Sequence, residues 1–420
     1  MAAVFEKARS FFHTAFRSLQ YRNFRLFWFG QCISLTGTWV QRTAQTWLVY
    51  SVTNSPFKVG LVGVAQFLPL LLLSLFAGVI VDHFPKKQLL ILTQTLFMAQ
   101  AAAMTILTWL GIIQYWHILL LSFLFGLTQT LDMPARQSFF IDLVGSENVP
   151  NAVSLNSTIV NLARIVGPAI SGIFTVKFGP AVCFFVNALS YLPVIAGIAM
   201  IRVERGGTVR HSANMIPEIA DGLRYIRKSR VLIADMALMT VVCTFSLNND
   251  VVIPVFAREY LGHGVDGYSG LLSAMGVGAF FAAILMAYRN AKQGSGMRVL
   301  VISGTAIGIL QLCTAISRQY AAGLVVVMLI GAGNVIFLNT ANSIFQLNSS
   351  NEYRGRVMSV YSFLNMGSTP IGNFLVGSVM EHAGGDSGYL FCGGMTLVLL
   401  AAIFLRRRRD VFQWLTKKGN

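Results

Sequence analysis

The sequence predicts an all-α membrane protein with twelve transmembrane helices in two pseudo-symmetric six-helix bundles. Three observations carry that prediction: the composition, the spacing of the apolar stretches, and an internal repeat. Of 420 residues, 55% are hydrophobic and only 11% are charged. A soluble domain carries about 25% charged residues, so too few are present to cover a water-facing surface. With 38 Gly and 11 Pro, neither disorder nor a collagen-like fold fits.

A bilayer-spanning helix needs about 20 mostly apolar residues. Such stretches fall near 24–50, 57–81, 87–110, 115–135, 151–176, 180–201, 231–257, 267–288, 297–317, 321–343, 356–381 and 387–405. The one long connection divides them six and six. The domains read as an N-terminal amphipathic segment (1–23), a first six-helix bundle (24–201), a linker (202–230), a second bundle (231–405) and a basic tail (406–420). Met1–Gln20 sets Phe5, Phe11, Phe12 and Phe16 among Lys7, Arg9 and Arg17, which predicts a helix lying on the membrane surface rather than a signal peptide. In the linker, Asn214 and Pro217 suit a helix start. Ile216, Ile219, Leu223 and Ile226 then share one face, while Arg224, Arg227, Lys228 and Arg230 suit anionic headgroups.

The charge is lopsided: 32 Lys+Arg against 16 Asp+Glu, net +16. With the N-terminus inside, the outside loops hold only Lys58, Lys177, Arg258 and Arg318, and only Arg42 and Arg164 fall within spans away from their inner ends. The rest lie inside, which predicts both termini in the cytoplasm. The excess thus reports orientation and attraction to anionic membrane lipids, not a nucleic-acid partner.

The halves overlay. Shifting 126–179 by 205 reaches 331–384 without a gap and pairs nine identities, among them Gly126/Gly331, Ser157/Ser362, Gly167/Gly372, Gly172/Gly377 and Gly179/Gly384. Parallel repeats predict a pseudo-two-fold axis along the membrane normal and a central site between the halves.

After span 2 the chain reads Gly78-Val-Ile-Val-Asp82-His83-Phe-Pro85-Lys86-Lys87. This resembles the major facilitator superfamily signature, matching it at Gly78, Asp82, Lys86 and Lys87 and departing from it at His83 and Pro85. The resemblance implies the major facilitator fold and a cytoplasmic gate in which Asp82 meets the start of span 11, near Arg354–Arg356. Asp132 and Arg136, i,i+4 at the end of span 4 if the helix continues past Pro134, read either as a gate contact near Asp82 or as a solvated pair. Span 5 carries Ala163-Arg164-Ile-Val-Gly167-Pro168-Ala-Ile-Ser171-Gly172. This resembles the antiporter motif of superfamily exporters at Gly167, Pro168 and Gly172, although a simple packing kink is the other reading. Together with Gly37-Thr-Trp39-Val-Gln41-Arg42-Thr-Ala-Gln45, the chain is similar to the drug:proton antiporter branch, which includes enterobactin-type exporters and macrolide efflux proteins. Protons as a partner come from that resemblance.

Polar residues within spans face a bundle interior or a water path. Span 1 places Gln31, Ser34, Thr38, Arg42 and Gln45 on one face; span 5 adds Asn161 and Arg164, span 7 Thr244 and Asn248, and span 11 Asn365 and Thr369. These are the expected lining of a substrate cavity, with interhelical hydrogen bonding as the alternative. Arg42 and Asp250 lie at near-equivalent repeat positions, about 27–29 Å along straight helices, and predict an outer-gate ion pair or proton-coupling element. Arg164 is a candidate counter-charge for an anionic or carbonyl-rich substrate. Asp132, Asp235 and Asp250, the ionisable candidates for proton binding, all sit toward span ends.

The absence of a Walker loop, a metal-ligand cluster and a nucleophile motif argues against an enzyme, a cofactor or a metal. Cys32, Cys183, Cys243, Cys313 and Cys392 are scattered and form no CxxC pair. The expectation is a monomeric bacterial inner-membrane transporter that works by alternating access and exports an amphiphilic drug or siderophore-like small molecule against protons. A lysophospholipid flippase and a non-transporting sensor are the alternatives.

Overall fold

The computed structural model describes residues 16–202, 215–290, 296–350 and 352–406. Among them are helices and no strand. We label them α1 (Arg22–Thr53), α2 (Pro56–His83), α3 (Lys86–Trp109), α4 (Tyr115–Val144), α5 (Val149–Phe178), α6 (Pro180–Met200), α7 (Met215–Lys228), α8 (Arg230–Phe245), α9 (Asn249–Val255), α10 (Val265–Asn290), α11 (Met297–Ile316), α12 (Tyr320–Leu347), α13 (Arg354–Ala383) and α14 (Ser387–Arg406).

Ten spans among the described residues are long and apolar enough to cross a membrane. The helices α1 and α13, at 32 and 30 residues, are longer than the roughly 20 a bilayer requires; their polar stripes lower their hydropathy. Large apolar side chains such as Leu92, Ile106, Phe281 and Ile284 are exposed throughout. Apolar surface on that scale marks contact with lipid.

Span 7 is not one helix. It stops at Phe245, resumes as α9 and ends in a π turn at Phe256–Tyr260. At the break, the Ser246 carbonyl accepts from Gln311 Nε2 (3.2 Å), and the Ser246 hydroxyl meets Thr396 Oγ1 (2.8 Å). Polar side chains here compete with the helix ladder. The depth of Asp250, reckoned along a straight span 7, is thereby corrected. Asp250 stands in the first turn of α9, where the helix dipole favours an acid.

The repeat register holds in detail. Adding 205 to α5 gives the bounds of α13. Gly179 and Gly384 end these two helices with matching backbone angles, φ 82° ψ 168° and φ 89° ψ 167°, a region essentially reserved for glycine. Span 3 packs on span 6 (α3 with α6), as span 9 packs on span 12 (α11 with α14).

The chain forms two compact units. The first comprises the described residues up to Ala44, Leu72–Ile113, and those from Leu124 to Arg202. Its core holds Phe24, Phe27, Phe139 and Phe140 edge to face, with centroids 5.9–6.3 Å apart. The second unit comprises Gln45–Leu71, Gln114–Phe123 and the described residues from Met215 on. It therefore includes the last turns of α1, from Gln45 on, and α2 as far as Leu71.

In the second unit, the linker helix α7 docks on α13 and α8. Ile226 is buried in the core, Tyr225 stacks on Tyr353 at 4.7 Å, and the Ser350 amide donates to the Tyr225 hydroxyl at 3.1 Å. That donated bond holds the phenol below its ordinary value. Arg224 of the predicted headgroup face pairs with Asp221 at 3.3 Å. The side chains of Ile216 and Ile219 lie outside the described residues, as do residues 1–15 of the predicted N-terminal helix and residues 407–420 of the basic tail.

Glycines let α10 and α12 approach closely. A Cβ built on Gly278 would lie 1.8 Å from the Met328 carbonyl oxygen, and one on Gly331 2.1 Å from that of Met275. Gly331→Leu must force these backbones apart, and overpacking costs about 1–3 kcal/mol. A lower Tm of the purified variant in detergent is the expected result.

Candidate functional site

The first unit contains a buried polar network. The helix α4 continues through Pro134, so Asp132 and Arg136 share a face. Asp132 is 3% exposed and accepts at Oδ1 from Thr93 Oγ1 and Gln94 Nε2, both at 2.8 Å. Its Oδ2 accepts from Arg136 Nε at 3.1 Å and pairs with Arg136 Nη2. Arg136 Nη1 donates to Gln31 Oε1. The solvated reading of this pair is thereby corrected, because α1, α3 and α4 enclose it. A second chain runs from Gln100 through Gln41 to Asn187 and Ser190, with bonds of 2.9, 2.8 and 3.1 Å.

Trp39 neighbours both arginines predicted for the cavity. The Arg42 guanidinium is 5.1 Å and that of Arg164 5.3 Å from its ring centroid, within cation–π range. The span-5 motif explains the approach. A Cβ on Gly167 would sit 2.4 Å from Trp39 Cβ, so only glycine lets α5 come this close to α1. Pro168 is buried and α5 runs on through it to Phe178. Ser171 faces α6, near Cys183. In the second unit, a Cβ built on Gly372 would lie 2.0 Å from the Thr244 carbonyl oxygen and 2.4 Å from Asn248 Oδ1. Residues 39 and 244 are related by the same 205 as Gly167 and Gly372, so the two contacts are repeat equivalents.

The second unit holds a clasp that sequence reasoning missed. The α1–α2 turn is pinned to α13: Ser55 Oγ and the Phe57 amide donate to Glu381 Oε2 at 2.7 and 3.2 Å. Tyr50 donates to Glu259 and carries Arg258 over its ring at 5.4 Å. Trp47 stacks on Tyr268 at 5.7 Å. Gly60 and Gly63 lie against Asn373, and Gly377 lies against Pro56. The Gly60-Leu-Val-Gly63 spacing was the available signal, since small residues permit close helix contact.

The other predicted residues are accounted for locally. Gln45 is buried and donates to Ser122 Oγ at 2.8 Å. Thr38 bonds the Ser34 carbonyl (2.9 Å) and meets the Tyr191 hydroxyl (3.2 Å). Asn161 bonds the Ser157 carbonyl at 3.0 Å, Asn248 that of Thr244 at 2.6 Å, and Thr369 that of Asn365 at 3.4 Å. Lys86 pairs with Asp142 at 3.1 Å. Lys87 caps α6 at the Ala199 and Ile201 carbonyls, both at 2.8 Å. Arg356 pairs with Asp221 of the linker helix at 3.5 Å. The side chains of Gly78 and Asp82 lie outside the described residues. Arg42 belongs to the first unit and Asp250 to the second.

The family described as transmembrane secretion effector matches residues 13–416. The chain belongs to this family of major facilitator transporters. The multidrug efflux pump Tap of Mycobacterium tuberculosis is 25% identical, covering 89% of this chain and 92% of that protein. The staphyloferrin A transporter of Staphylococcus aureus is 22% identical (89% and 93%), and macrolide efflux protein A of Streptococcus pyogenes 21% (91% and 96%). Among solved structures, the nucleoside transporter NupG superposes with a TM-score of 0.74 at 10% identity, covering 91% of this chain and 98% of that one. The peptide transporter POT gives 0.73 at 13% (93% and 95%). At such identities the structures show the fold alone. The family and the relatives establish a multi-pass membrane transporter of the efflux type, not an enzyme.

Removing one partner of a buried ion pair costs about 3–5 kcal/mol. Asp132→Ala leaves the Arg136 guanidinium without its carboxylate and is expected to lose stability on that scale in denaturant titration of the purified transporter. Asp142→Ala breaks the half-buried pair with Lys86 and is expected to lose less stability than Asp132→Ala in the same titration.

Proposed function

We propose that this family member exports an amphiphilic small molecule, drug-like or siderophore-like, in exchange for protons by alternating access. The observation that carries the reading is the Arg42–Trp39–Arg164 group. Two guanidiniums and an indole on the polar faces of α1 and α5 suit a ligand with an apolar body and an anionic or carbonyl-rich edge. Guanidinium forks bind such oxygens bidentately, and the ring supplies apolar area. The relatives, which include a multidrug efflux pump, a staphyloferrin A transporter and a macrolide efflux protein, support that substrate class.

In this reading the protein sits as a monomer in a bacterial inner membrane with both termini cytoplasmic, in line with the placement of its basic residues. The halves 24–201 and 231–405 rock about the linker. Asp82 with the start of α13 forms one gate. The Glu381 and Glu259 clasp, with Arg42 and Asp250, forms the other. Each state must be favoured by contacts that the other lacks.

A thermal-shift screen of purified protein against siderophores, macrolides and lysolipids tests the substrate class. A siderophore or macrolide that raises Tm in the wild type and fails to do so in Arg164→Gln supports it. A hit unaffected by that change removes Arg164 from the site, and a response to lysolipids alone favours the flippase. Exchanging Arg42 and Asp250 is expected to restore part of the transport lost in either single variant; an exchange as inactive as the single variants removes the pair.

A further inference from the structure

Among the described residues two aspartates are buried within the helices, and they are treated differently. Asp132 accepts from Thr93, Gln94 and Arg136. Asp235 of α8 is 0% exposed, and neither of its carboxyl oxygens has a hydrogen-bond partner. Its neighbours Leu232, Ala234, Leu238 and Met239 belong to an apolar core that α8 shares with Phe337 and Val357. No ion pair reaches it among the described residues. The groups within electrostatic reach are Cys243 on its own helix and Tyr361 on α13. The cations of α8 and of the helices packed on it lie toward helix ends: Arg230 on α8, Arg224, Arg227 and Lys228 on α7, Arg298 on α11, Arg354 and Arg356 on α13, and Arg406 on α14. The helix α12 carries no charged residue.

A carboxylate without a counter-charge or donor is not sustained in an apolar core; the group neutralises instead. We propose that Asp235 is the proton-carrying residue of transport, holding its proton in the conformation seen here and releasing it when α8 moves and water reaches the carboxyl. The inference rests on the proton-coupled reading above and names its acid. The geometry supplies a place for the movement. The helix α8 is a 16-residue segment that ends at the Ser246–Asn248 break, and Gly372 packs closely against the Thr244 carbonyl and Asn248 there. Asp235 rides on this segment, away from the break.

The test uses the full chain in lipid nanodiscs. Infrared spectra at neutral pH should show the carbonyl stretch of a protonated carboxylic acid, lost in Asp235→Asn and kept in Asp132→Asn. Spin labels at the exposed positions Gln88 and Glu352, in a cysteine-free background, should report a distance distribution that shifts between acid and alkaline pH. Asp235→Asn, which mimics the neutral acid, should hold the acid-pH distribution at both; Asp235→Glu, which keeps a titratable group, should restore the response. A protonated band unchanged in Asp235→Asn overturns the inference. So does an equal pH response in wild type and Asp235→Asn, while the proton-coupled reading survives. A wild-type distribution indifferent to pH overturns both.

Discussion

The structure depends on one constraint. Inside an apolar solvent, water cannot satisfy polar groups, so the protein must supply every partner itself. Helices do this for the backbone. For side chains, the recurring solution is local: Thr38, Asn161, Asn248 and Thr369 each donate to the carbonyl one turn back. The remaining polar groups bond across helices, as Asp132 does with Thr93, Gln94 and Arg136. Asp235 follows neither route, and that is why it stands apart.

Cross-helix bonds need close helices, and glycine sets how close. Gly167 brings α5 onto Trp39, and Gly372 brings α13 onto Thr244. The same register relates these contacts to the paired caps at Gly179 and Gly384. An ancient repeat thus persists as packing geometry after most of its side chains have diverged. The two contacts now differ: one brings two arginines within cation–π range of an indole, while the other abuts the break that divides span 7.

The contacts differ in what opening them would cost. Exposed ion pairs such as Arg224–Asp221 are cheap to break, in the range of about 0–1 kcal/mol, and so suit surfaces that separate and rejoin. The network around Asp132 is enclosed and charged, and it suits a unit that moves as a body. The clasp at Glu381 lies between, built of hydrogen bonds to a hydroxyl and a backbone amide.

The helical architecture was legible in the sequence because its causes are local or periodic. Apolar length marks a span, the 205-residue shift marks the repeat, and glycine at 179 and 384 marks a backbone that other residues cannot adopt. The polar stripes were legible as stripes, yet their roles were not. A helical face cannot say whether Gln45 lines a cavity or bonds Ser122, because that depends on a helix far away in the chain. The break in span 7 escaped for the same reason, since Gln311 and Thr396 come from other helices. Tertiary packing alone decided that Asp132 would be saturated and Asp235 bare. Both are lone acids near helix ends in the sequence, and only the neighbours brought in by folding distinguish a structural carboxylate from one that must keep its proton.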